Sequence, residues 1–159
     1  MEYLDLYNNK KEKIGKTILR GSEIPFDYYI MLSIIFIENS KGEFLFQMTS
    51  KEKGSIWATT GGHVKSGSNS LNTIVEEVEE ELGLKLNPNS LKHVYTGMKF
   101  NRILDAYYIK KDIEIENLKL QKEEVEYVKW LSKDELKRLI NAENVRKSNI
   151  EIMKEIKLI

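Results

Sequence analysis

Residues 61–84 of the chain read GGHVKSGSNSLNTIVEEVEEELGL. The two leading glycines and Gly67 predict a loop whose backbone packs closely on its neighbours, because glycine has no Cβ atom. The polar residues 68–70 are suited to cap the start of a helix, and Gly83 is suited to end it. The stretch therefore predicts a tight loop that leads into a helix.

The predicted helix carries apolar side chains on one face and glutamates on another. The apolar stripe consists of Leu71, Ile74, Val75, Val78 and Leu82. Glu77, Glu80 and Glu81 fall together on a flank away from that stripe. Like charges at these spacings repel by roughly 0.2–0.5 kcal/mol per pair. The cluster therefore favours a divalent cation, which carboxylate oxygens bind well; the alternative is a simple solvated face.

The 23 residues from Gly62 to Leu84 resemble the signature of the Nudix hydrolases, G-x5-E-x7-R-E-U-x-E-E-x-G-U, where U is a bulky aliphatic residue. The length agrees, and so do most of the fixed positions. The matching residues are Gly62, Glu77, Val78, Glu80, Glu81, Gly83 and Leu84. Two fixed positions differ, because Ser68 stands where the family has Glu and Glu76 where it has Arg.

Further segments resemble the Nudix branch related to isopentenyl diphosphate isomerase. They are residues 4–7 (LDLY), 15–17 (GKT), 57–64 (WATTGGHV) and 120–125 (LQKEEV). The resemblance thus covers most of the chain, up to about residue 140. It implies an α/β (α+β) fold, a Nudix-type α/β/α sandwich around a mixed β-sheet.

The resemblance also implies a site for Mg²⁺ or Mn²⁺. Glu77, Glu80 and Glu81 would be the metal ligands and catalytic residues, and the backbone carbonyl of Gly61 would be a further ligand. In such enzymes the metal neutralises phosphate oxygens and activates a water that attacks phosphorus.

A carboxylate outside the signature often completes such a site or acts as the base. Glu123 and Glu124 are the candidates here, and Glu124 is the one we assign as catalytic. The alternative for both is a solvated entry to a strand. A base must reach the attacking water, which sequence does not show.

The two departures from the signature are coupled. In the family, the Glu and Arg at these positions support one another and hold the loop against the helix. Ser68 and Glu76 can share a hydrogen bond at best. We expect metal binding to persist with a less rigid loop, so that hydrolysis is weak or altered, or the domain binds diphosphates without turnover.

The isomerase reaction is not expected for this chain. That enzyme needs a cysteine at the position of Gly61, and the sequence contains no cysteine. His63 matches a metal-binding histidine of the isomerase, but His93 is the only other histidine. We therefore expect His63 to support the fold or the substrate rather than to ligate metal.

Four residues are candidates for substrate binding: Lys51, Trp57, His63 and Arg102. Cationic side chains can meet phosphates, and aromatic rings can stack on a nucleobase. Further candidates of the same kinds are Lys53, Lys99, Tyr95, Phe100, Tyr107 and Tyr108. Core packing is the more common use of aromatic residues on predicted strands, and solvation is the more common state of a single lysine.

The composition excludes several classes of protein. The charges balance, with Lys+Arg 25 and Asp+Glu 25, so no attraction to nucleic acid or anionic membranes is expected. The absence of cysteine excludes disulfides and thiolate chemistry. No apolar run approaches the roughly 18–20 residues of a membrane span, and nothing resembles a signal peptide. We expect a cytoplasmic protein.

The remaining pattern predicts one domain over residues 1–159. A hairpin is expected over residues 2–20, and strands over 28–37, 43–48, 91–100, 103–109 and 125–131. Residues 43–48 are expected to be the hairpin partner of 28–37. A capping box at Ser132 predicts the first of two C-terminal helices within about 132–157, the second over about 144–156. Nudix proteins are frequently dimers, so a homodimer is compatible.

The function most consistent with this pattern is metal-dependent hydrolysis of a diphosphate linkage in a small nucleoside-diphosphate-linked or related compound. A catalytically inactive diphosphate-binding or regulatory module on the same fold is the competing class. A structural protein with a merely acidic helix is a third, less favoured interpretation. Which diphosphate is bound depends on loops outside the signature.

Overall fold

The computed structural model describes all 159 residues and contains nine β-strands and three α-helices. The strands are β1 Tyr3–Tyr7, β2 Lys13–Leu19, β3 Ile30–Glu38, β4 Phe44–Thr49, β5 Trp57–Ala58, β6 Gly61–His63, β7 Lys92–Lys99, β8 Arg102–Lys110 and β9 Val125–Leu131. The helices are α1 Ser70–Leu82, α2 Lys133–Asn141 and α3 Lys147–Glu155. The N-terminal hairpin and the helix of the signature are thus found where the sequence predicts them.

Strand β3 lies at the centre of a seven-stranded mixed sheet. Its side chains are apolar on both faces, with Ile34 and Phe36 on one side and Ile35 and Ile37 on the other. It pairs in parallel with β8 along its whole length, and β8 pairs antiparallel with β7. A strand buried on both faces is expected to read as a continuous apolar run.

Helices cover both faces of this sheet. Helix α1 packs on the face of Ile35 through Ile74, Val78 and Leu82. The opposite face is covered by α2 and α3, whose buried side chains are Leu136, Ile150, Ile152 and Met153. The predicted α/β/α sandwich around a mixed sheet is confirmed.

Strands β3 and β4 form a fork rather than the regular hairpin that the sequence suggested. They pair only at Glu38 and Phe44, next to the turn. Beyond that point they diverge, and the segment 57–63 fills the gap, with β5 pairing to β4 and β6 pairing to β3. The other edge of β4 pairs with β9. The predicted partner strand is therefore confirmed, but its pairing with β3 is confined to the end next to the turn.

Helix α3 begins three residues later than predicted. The backbone of Trp57 donates to the carbonyl of Asn144 and accepts from the amide of Arg146, at 3.2 and 2.8 Å. These bonds hold residues 144–146 extended beside β5. Val145 is buried as expected, but it belongs to this extended segment and not to the helix. The capping box of Ser132, by contrast, is confirmed at the start of α2.

The hairpin of β1 and β2 is a separate two-stranded sheet that a buried carboxylate anchors to the main sheet. Asp105 of β8 is 1% exposed and accepts from Lys11 Nζ at 2.7 Å, Ser70 Oγ at 2.5 Å and Thr96 Oγ1 at 2.6 Å. Burial would raise the pKa of Asp105, but these three bonds outweigh it and the pKa is lowered. One side chain thus ties the hairpin, α1 and two strands together.

Replacing Asp105 by Asn is expected to lower the free energy of unfolding by about 2 kcal/mol, because the buried ion pair with Lys11 is lost. A carboxylate with a lowered pKa stabilises the protein above its unfolded-state pKa and stops doing so as pH falls through its folded-state value. The difference in the free energy of unfolding between the wild type and Asp105→Asn should therefore persist across neutral pH and shrink in strong acid. Urea unfolding, with the exposed Asp134→Asn as control, measures it.

None of the three helices combines the length and hydrophobicity needed to cross a membrane.

Candidate active site

The buried face of the signature helix is wider than the predicted apolar stripe and includes Glu81, which lies about 20° around the helix axis from Ile74. Asn69 caps its start by accepting from the amide of Asn72 at 2.8 Å, and Gly83 ends it with a φ of 66°. Glu77 is half-buried, Glu80 is exposed and Glu81 is 6% exposed. The glutamates are therefore not a uniformly solvated face, because strands β4 and β6 cover part of their flank.

Both positions at the start of the signature require glycine, because atoms of neighbouring residues occupy the space that a Cβ atom would need. A Cβ atom on Gly62 would lie 2.6 Å from the carboxyl carbon of Glu77. A Cβ atom on Gly61 would lie 2.8 Å from the carbonyl oxygen of Ser33 and from Cγ2 of Ile34. Strand β6 can thus lie between β3 and α1 only because these two positions carry no side chain.

The carbonyl of Gly61 points away from β3. The amide of Ile35 donates to the carbonyl of Thr60, and the amide of Val64 donates to that of Met31. Directly opposed residues of an antiparallel ladder alternate between bonded and non-bonded pairs, so Gly61 falls at a non-bonded pair. No strand pairs with the other edge of β6. The carbonyl oxygen is therefore available to a ligand.

Glu81 is held in place by polar residues of the fork. Its Oε1 accepts from Nε2 of Gln47 at 3.2 Å, and Oε1 of Gln47 accepts from Oγ1 of Thr60 at 2.7 Å. The second carboxylate oxygen, Oε2, is buried and has no hydrogen-bond partner. Buried polar atoms are nearly always paired, so this oxygen is free to bind a ligand.

The carboxylates of the helix are shifted towards their protonated forms. Burial and the charge of Glu80 raise the pKa of Glu77. Burial and the charge of Glu77 raise the pKa of Glu81. Such shifts are typical of functional sites, where like charges are placed together out of water.

A pocket of about 220 Å³ opens beside these groups. Gly61, Gly62 and Glu81 contribute to one wall. The cationic side chains that line it are Arg20 at the end of β2, Lys53 after β4, and Arg146 before α3. Three cationic side chains beside an acidic helix suit a polyanion that also contacts a metal ion held by the helix.

His63 and Glu124 complete the lining of this pocket. Burial and the positive charges of Arg20 and Arg102 lower the pKa of His63 to about 4, so its ring is neutral at pH 7. Oε2 of Glu124 lies 3.6 Å from Nζ of Lys53. Of the two carboxylates proposed outside the signature, Glu124 lines the pocket and Glu123 is exposed and does not.

The residues of the site fit a divalent cation in their chemistry, although they are not gathered around one point. No group of three or more His, Asp or Glu side chains lies close enough together to hold a metal ion. The half-buried carboxylate of Glu77, the buried carboxylate of Glu81 with its free Oε2, and the Gly61 carbonyl nevertheless provide the hard oxygen donors that Mg²⁺ and Mn²⁺ prefer.

Three of the residues proposed for substrate binding lie outside this pocket. Trp57 is 7% exposed and packs in the hydrophobic core, edge-on to Tyr127. Lys51 is exposed at the start of a 3₁₀ turn, and the same turn directs Lys53, not Lys51, to the pocket. Arg102 lines a neighbouring groove. His63 alone of the four lies in the pocket itself.

Sequence reasoning missed Gln47 and two arginines, Arg20 and Arg146. A usable signal was present, because the chain has only four arginines among its 25 basic residues. Arginine binds phosphate through a planar fork that lysine lacks, so rare arginines in a lysine-rich chain are candidates for anion binding. No sequence pattern, however, indicates that Gln47 would contact Glu81.

The two departures from the signature do not contact each other. Glu76 is exposed and has no hydrogen bond or ion pair, and Oγ of Ser68 makes only a 3.5 Å contact with the adjacent carbonyl. Neither side chain therefore forms a contact between the loop and the helix.

Sequence comparison with known proteins finds relatives that all carry the Nudix name. The NUDIX domain family matches residues 31–155. An uncharacterized Nudix hydrolase of Listeria monocytogenes is 31% identical over 144 residues, covering 87% of this chain and 85% of that protein. Nudix hydrolase 3 of Arabidopsis thaliana is 30% identical over 90% of this chain, which spans 21% of that longer protein.

Solved structures share the fold at lower identity. DR0079 from Deinococcus radiodurans superposes with a TM-score of 0.77 at 20% identity, covering 98% of both chains. A MutT structure reported in work on Aliivibrio salmonicida and Vibrio cholerae gives 0.60 at 19% identity, over 80% of this chain and 96% of that one. Together with the signature in the pocket wall, these matches place the chain in the Nudix hydrolase family, whose members generally cleave phosphoric anhydrides and use divalent metals.

Proposed function

We propose that this protein is a Mg²⁺- or Mn²⁺-dependent hydrolase that cleaves a diphosphate linkage in a small nucleoside-diphosphate-linked or related compound. The observation that carries the proposal is the buried, unpartnered Oε2 of Glu81 beside the half-buried Glu77. Two neighbouring carboxylates, one buried and one half-buried, repel each other, and a bound cation would relieve that repulsion. A divalent cation would satisfy the free oxygen and both charges.

Four groups of the chain would hold this cation: the carboxylates of Glu77, Glu80 and Glu81 and the carbonyl of Gly61. The side chain of Glu77 lies close to Gly62 of β6, the strand that carries the carbonyl, and Glu81 accepts a hydrogen bond from Gln47 of β4. A divalent cation bound there supplies a Lewis acid that neutralises phosphate charge and makes the attacking water more acidic.

The cationic wall of the pocket would bind the phosphate oxygens. Arg20 and Arg146 can each present a planar pair of N–H donors, and Lys53 a single positive charge. These groups orient the phosphorus atom and stabilise the negative charge that accumulates on its oxygens during the reaction. The neutral ring of His63 can donate or accept one hydrogen bond without adding charge.

Glu124 is the proposed general base. It lines the same pocket as Glu81, and its Oε2 lies 3.6 Å from Nζ of Lys53. A carboxylate at this place can accept a proton from a water molecule within hydrogen-bond reach. The water oxygen forms a bond to phosphorus as its proton passes to a carboxylate oxygen of Glu124. The bond from phosphorus to the bridging oxygen breaks, and the second phosphate leaves with that oxygen.

The rest of the substrate would lie in the neighbouring groove of about 270 Å³, which shares Leu32 with the pocket. Arg102 and Lys99 line this groove together with Phe100, whose side chain is 80% exposed. An exposed aromatic ring beside cations suits a planar, phosphate-linked group such as a nucleoside. This retains Arg102 as a proposed substrate-binding residue.

The second candidate is a diphosphate-binding module without turnover. The departures at Ser68 and Glu76 favour it, as does the absence of three gathered metal-binding side chains. That this chain belongs to the Nudix branch related to isopentenyl diphosphate isomerase remains a proposal. We do not propose the isomerase reaction, because no cysteine is available.

A hydrolysis panel tests the proposal. Phosphate release is measured with nucleotide sugars, dinucleoside polyphosphates, NADH, ADP-ribose and nucleoside triphosphates, each with Mg²⁺ and with Mn²⁺. We expect turnover of at least one compound, its loss on chelation, and a large loss in Glu80→Gln. Metal-dependent binding of one compound without any turnover would support the module instead, and neither binding nor turnover would contradict both.

A further inference from the structure

In the loop between β6 and α1, residues 66–68 are held by the N-terminal hairpin, and the helix that follows binds only the cap residue Asn69. Oδ1 of Asp5 accepts from Oγ of Ser66 at 2.9 Å, and Oδ2 of Asp5 accepts from the amide of Gly67 at 2.9 Å. Nζ of Lys13 lies 3.2 Å from the same Oδ2 and donates to the carbonyl of Ser68 at 3.2 Å. Two side chains of the hairpin thus bind three consecutive loop residues.

Backbone contacts continue this attachment. The amide of Ser66 donates to the carbonyl of Tyr3 at 2.8 Å, and Leu4 forms an antiparallel bridge with Lys65. The carboxylate of Glu2 contacts Lys65 Nζ at 3.5 Å and Arg20 Nη1 at 2.8 Å. The hairpin therefore fixes the loop and orients one of the arginines that line the pocket.

Asp5 is suited to this contact because it stays ionised. Burial would raise its pKa, but the bonds from Gly67, Ser66 and Lys13 outweigh burial and the pKa is lowered. Gly67 has a φ of +84°, a left-handed conformation that a turn requires and that a bond to its amide helps to keep. Charge-assisted bonds of this kind are stronger than neutral ones.

The loop joins the two halves of the proposed metal site. Gly61, with its outward carbonyl, precedes it by a few residues, and the helix of Glu77 and Glu81 follows it. Ser68 and Glu76 make no contact with each other, and the helix binds the loop only at its cap residue Asn69. The hairpin lies before residue 31, where the family match begins, so the brace comes from outside the matched segment.

We infer that Asp5 is a positioning residue, which replaces the missing brace between loop and helix and thereby sets the relative position of the Gly61 carbonyl and the helix carboxylates. Its effect on turnover rests on the proposed function. Its effect on the loop does not, because the hydrogen bonds to Ser66 and Gly67 join groups of the chain alone.

The test compares Asp5→Ala and Asp5→Asn with Asp112→Ala. Asp112 is a matched control, because its carboxylate accepts from a loop amide, that of Ser40, at 2.8 Å, in a different part of the surface. Three quantities are measured: amide hydrogen exchange of Gly67 in the metal-free protein, Mn²⁺ affinity without substrate, and kcat and KM with the best substrate of the panel.

In Asp5→Ala we expect exchange at Gly67 to become about 10-fold faster and Mn²⁺ affinity to fall by roughly 10-fold, as for residues that orient metal ligands. We expect kcat to fall with little change in KM. Asp5→Asn keeps one acceptor oxygen and should lie between the alanine variant and the wild type. Asp112→Ala should leave all three quantities unchanged.

Unchanged Gly67 exchange in Asp5→Ala would overturn the inference. So would a loss of activity that matches the lost folded fraction while Mn²⁺ affinity is retained, because Asp5 would then serve stability alone. If the wild type hydrolysed nothing, the proposed function would fail, but faster Gly67 exchange would still support the brace and unchanged exchange would still refute it.

Discussion

Glu81→Gln is expected to reduce turnover by roughly 10²- to 10⁴-fold, since a Lewis acid contributes several kcal/mol to such reactions and each tenfold in rate is about 1.4 kcal/mol. Glutamine keeps the acceptor for Gln47 Nε2, so the polar contact of the fork survives. It replaces Oε2, the unpartnered buried oxygen, by an amide nitrogen that cannot ligate a cation. The loss should therefore appear in kcat and in Mn²⁺ affinity together.

The same substitution should not destabilise the metal-free protein at alkaline pH. Because the folded-state pKa of Glu81 is raised above its unfolded value, the folded state binds more protons, and stability falls as pH rises between those two values. Glutamine removes this dependence. In chelator, thermal unfolding at pH 9 relative to pH 6 should show a larger drop for the wild type than for Glu81→Gln.

Glu79→Gln is the matched control for these measurements. Glu79 is an exposed glutamate on the same helix, so its substitution changes charge and composition equally but touches no group of the site. We expect it to retain activity and Mn²⁺ affinity. A Glu81→Gln protein with near wild-type turnover would remove the metal role of Glu81 and, with it, the observation on which the proposed function depends.

The helix of the signature was predictable because its information is local. The apolar stripe through Ile74, Val78 and Leu82 and the end at Gly83 follow from spacing and from glycine's left-handed conformation, and all are present. The burial of Glu81 also follows from spacing, because Glu81 comes seven residues after the buried Ile74 and so lies about 20° from it around the helix axis. Its hydrogen bond with Gln47 was not predictable, because Gln47 belongs to a strand far away in sequence.

The fork between β3 and β4 shows the same limit. Alternation and turn residues identify both strands correctly, yet a regular hairpin and a fork have the same pattern in these segments. The difference lies in Gly61 and Gly62, which allow β6 to insert between β3 and α1. The position of the pocket, and the arrival of Arg20 and Arg146 at its wall, follow from that insertion.

The family resemblance identified the candidate ligands but not their support. A signature lacking its internal Glu and Arg suggested a loose loop, and the loop is instead attached to the hairpin through Asp5 and Lys13. Those contacts connect residues about sixty positions apart. Only the docking of the hairpin, anchored by Lys11 on Asp105, brings them together.

Gly62→Ala is expected to abolish most activity while leaving the protein folded. The added Cβ atom would lie 2.6 Å from the Glu77 carboxyl carbon and 2.8 Å from its Cγ and Oε1. These atoms are the flexible end of a side chain, so they can move aside at little expense in stability. The displaced carboxylate is a proposed metal ligand, and we expect turnover to fall by roughly 10²-fold or more.

Gly61→Ala is the comparison variant, because it separates displacement of the Glu77 carboxylate from disruption of the paired strands. Its Cβ atom would meet the backbone carbonyl of Ser33 and Cγ2 of Ile34 inside the paired strands, and neither can move freely. We expect a loss of about 1–3 kcal/mol in the free energy of unfolding, against a small loss for Gly62→Ala. If Gly62→Ala were fully active, the position of Glu77 against β6 would not matter for catalysis. If both variants lost stability equally, the Glu77 side chain would be held as firmly as the backbone of the paired strands. The idea that its carboxylate moves aside at little expense in stability would then be wrong.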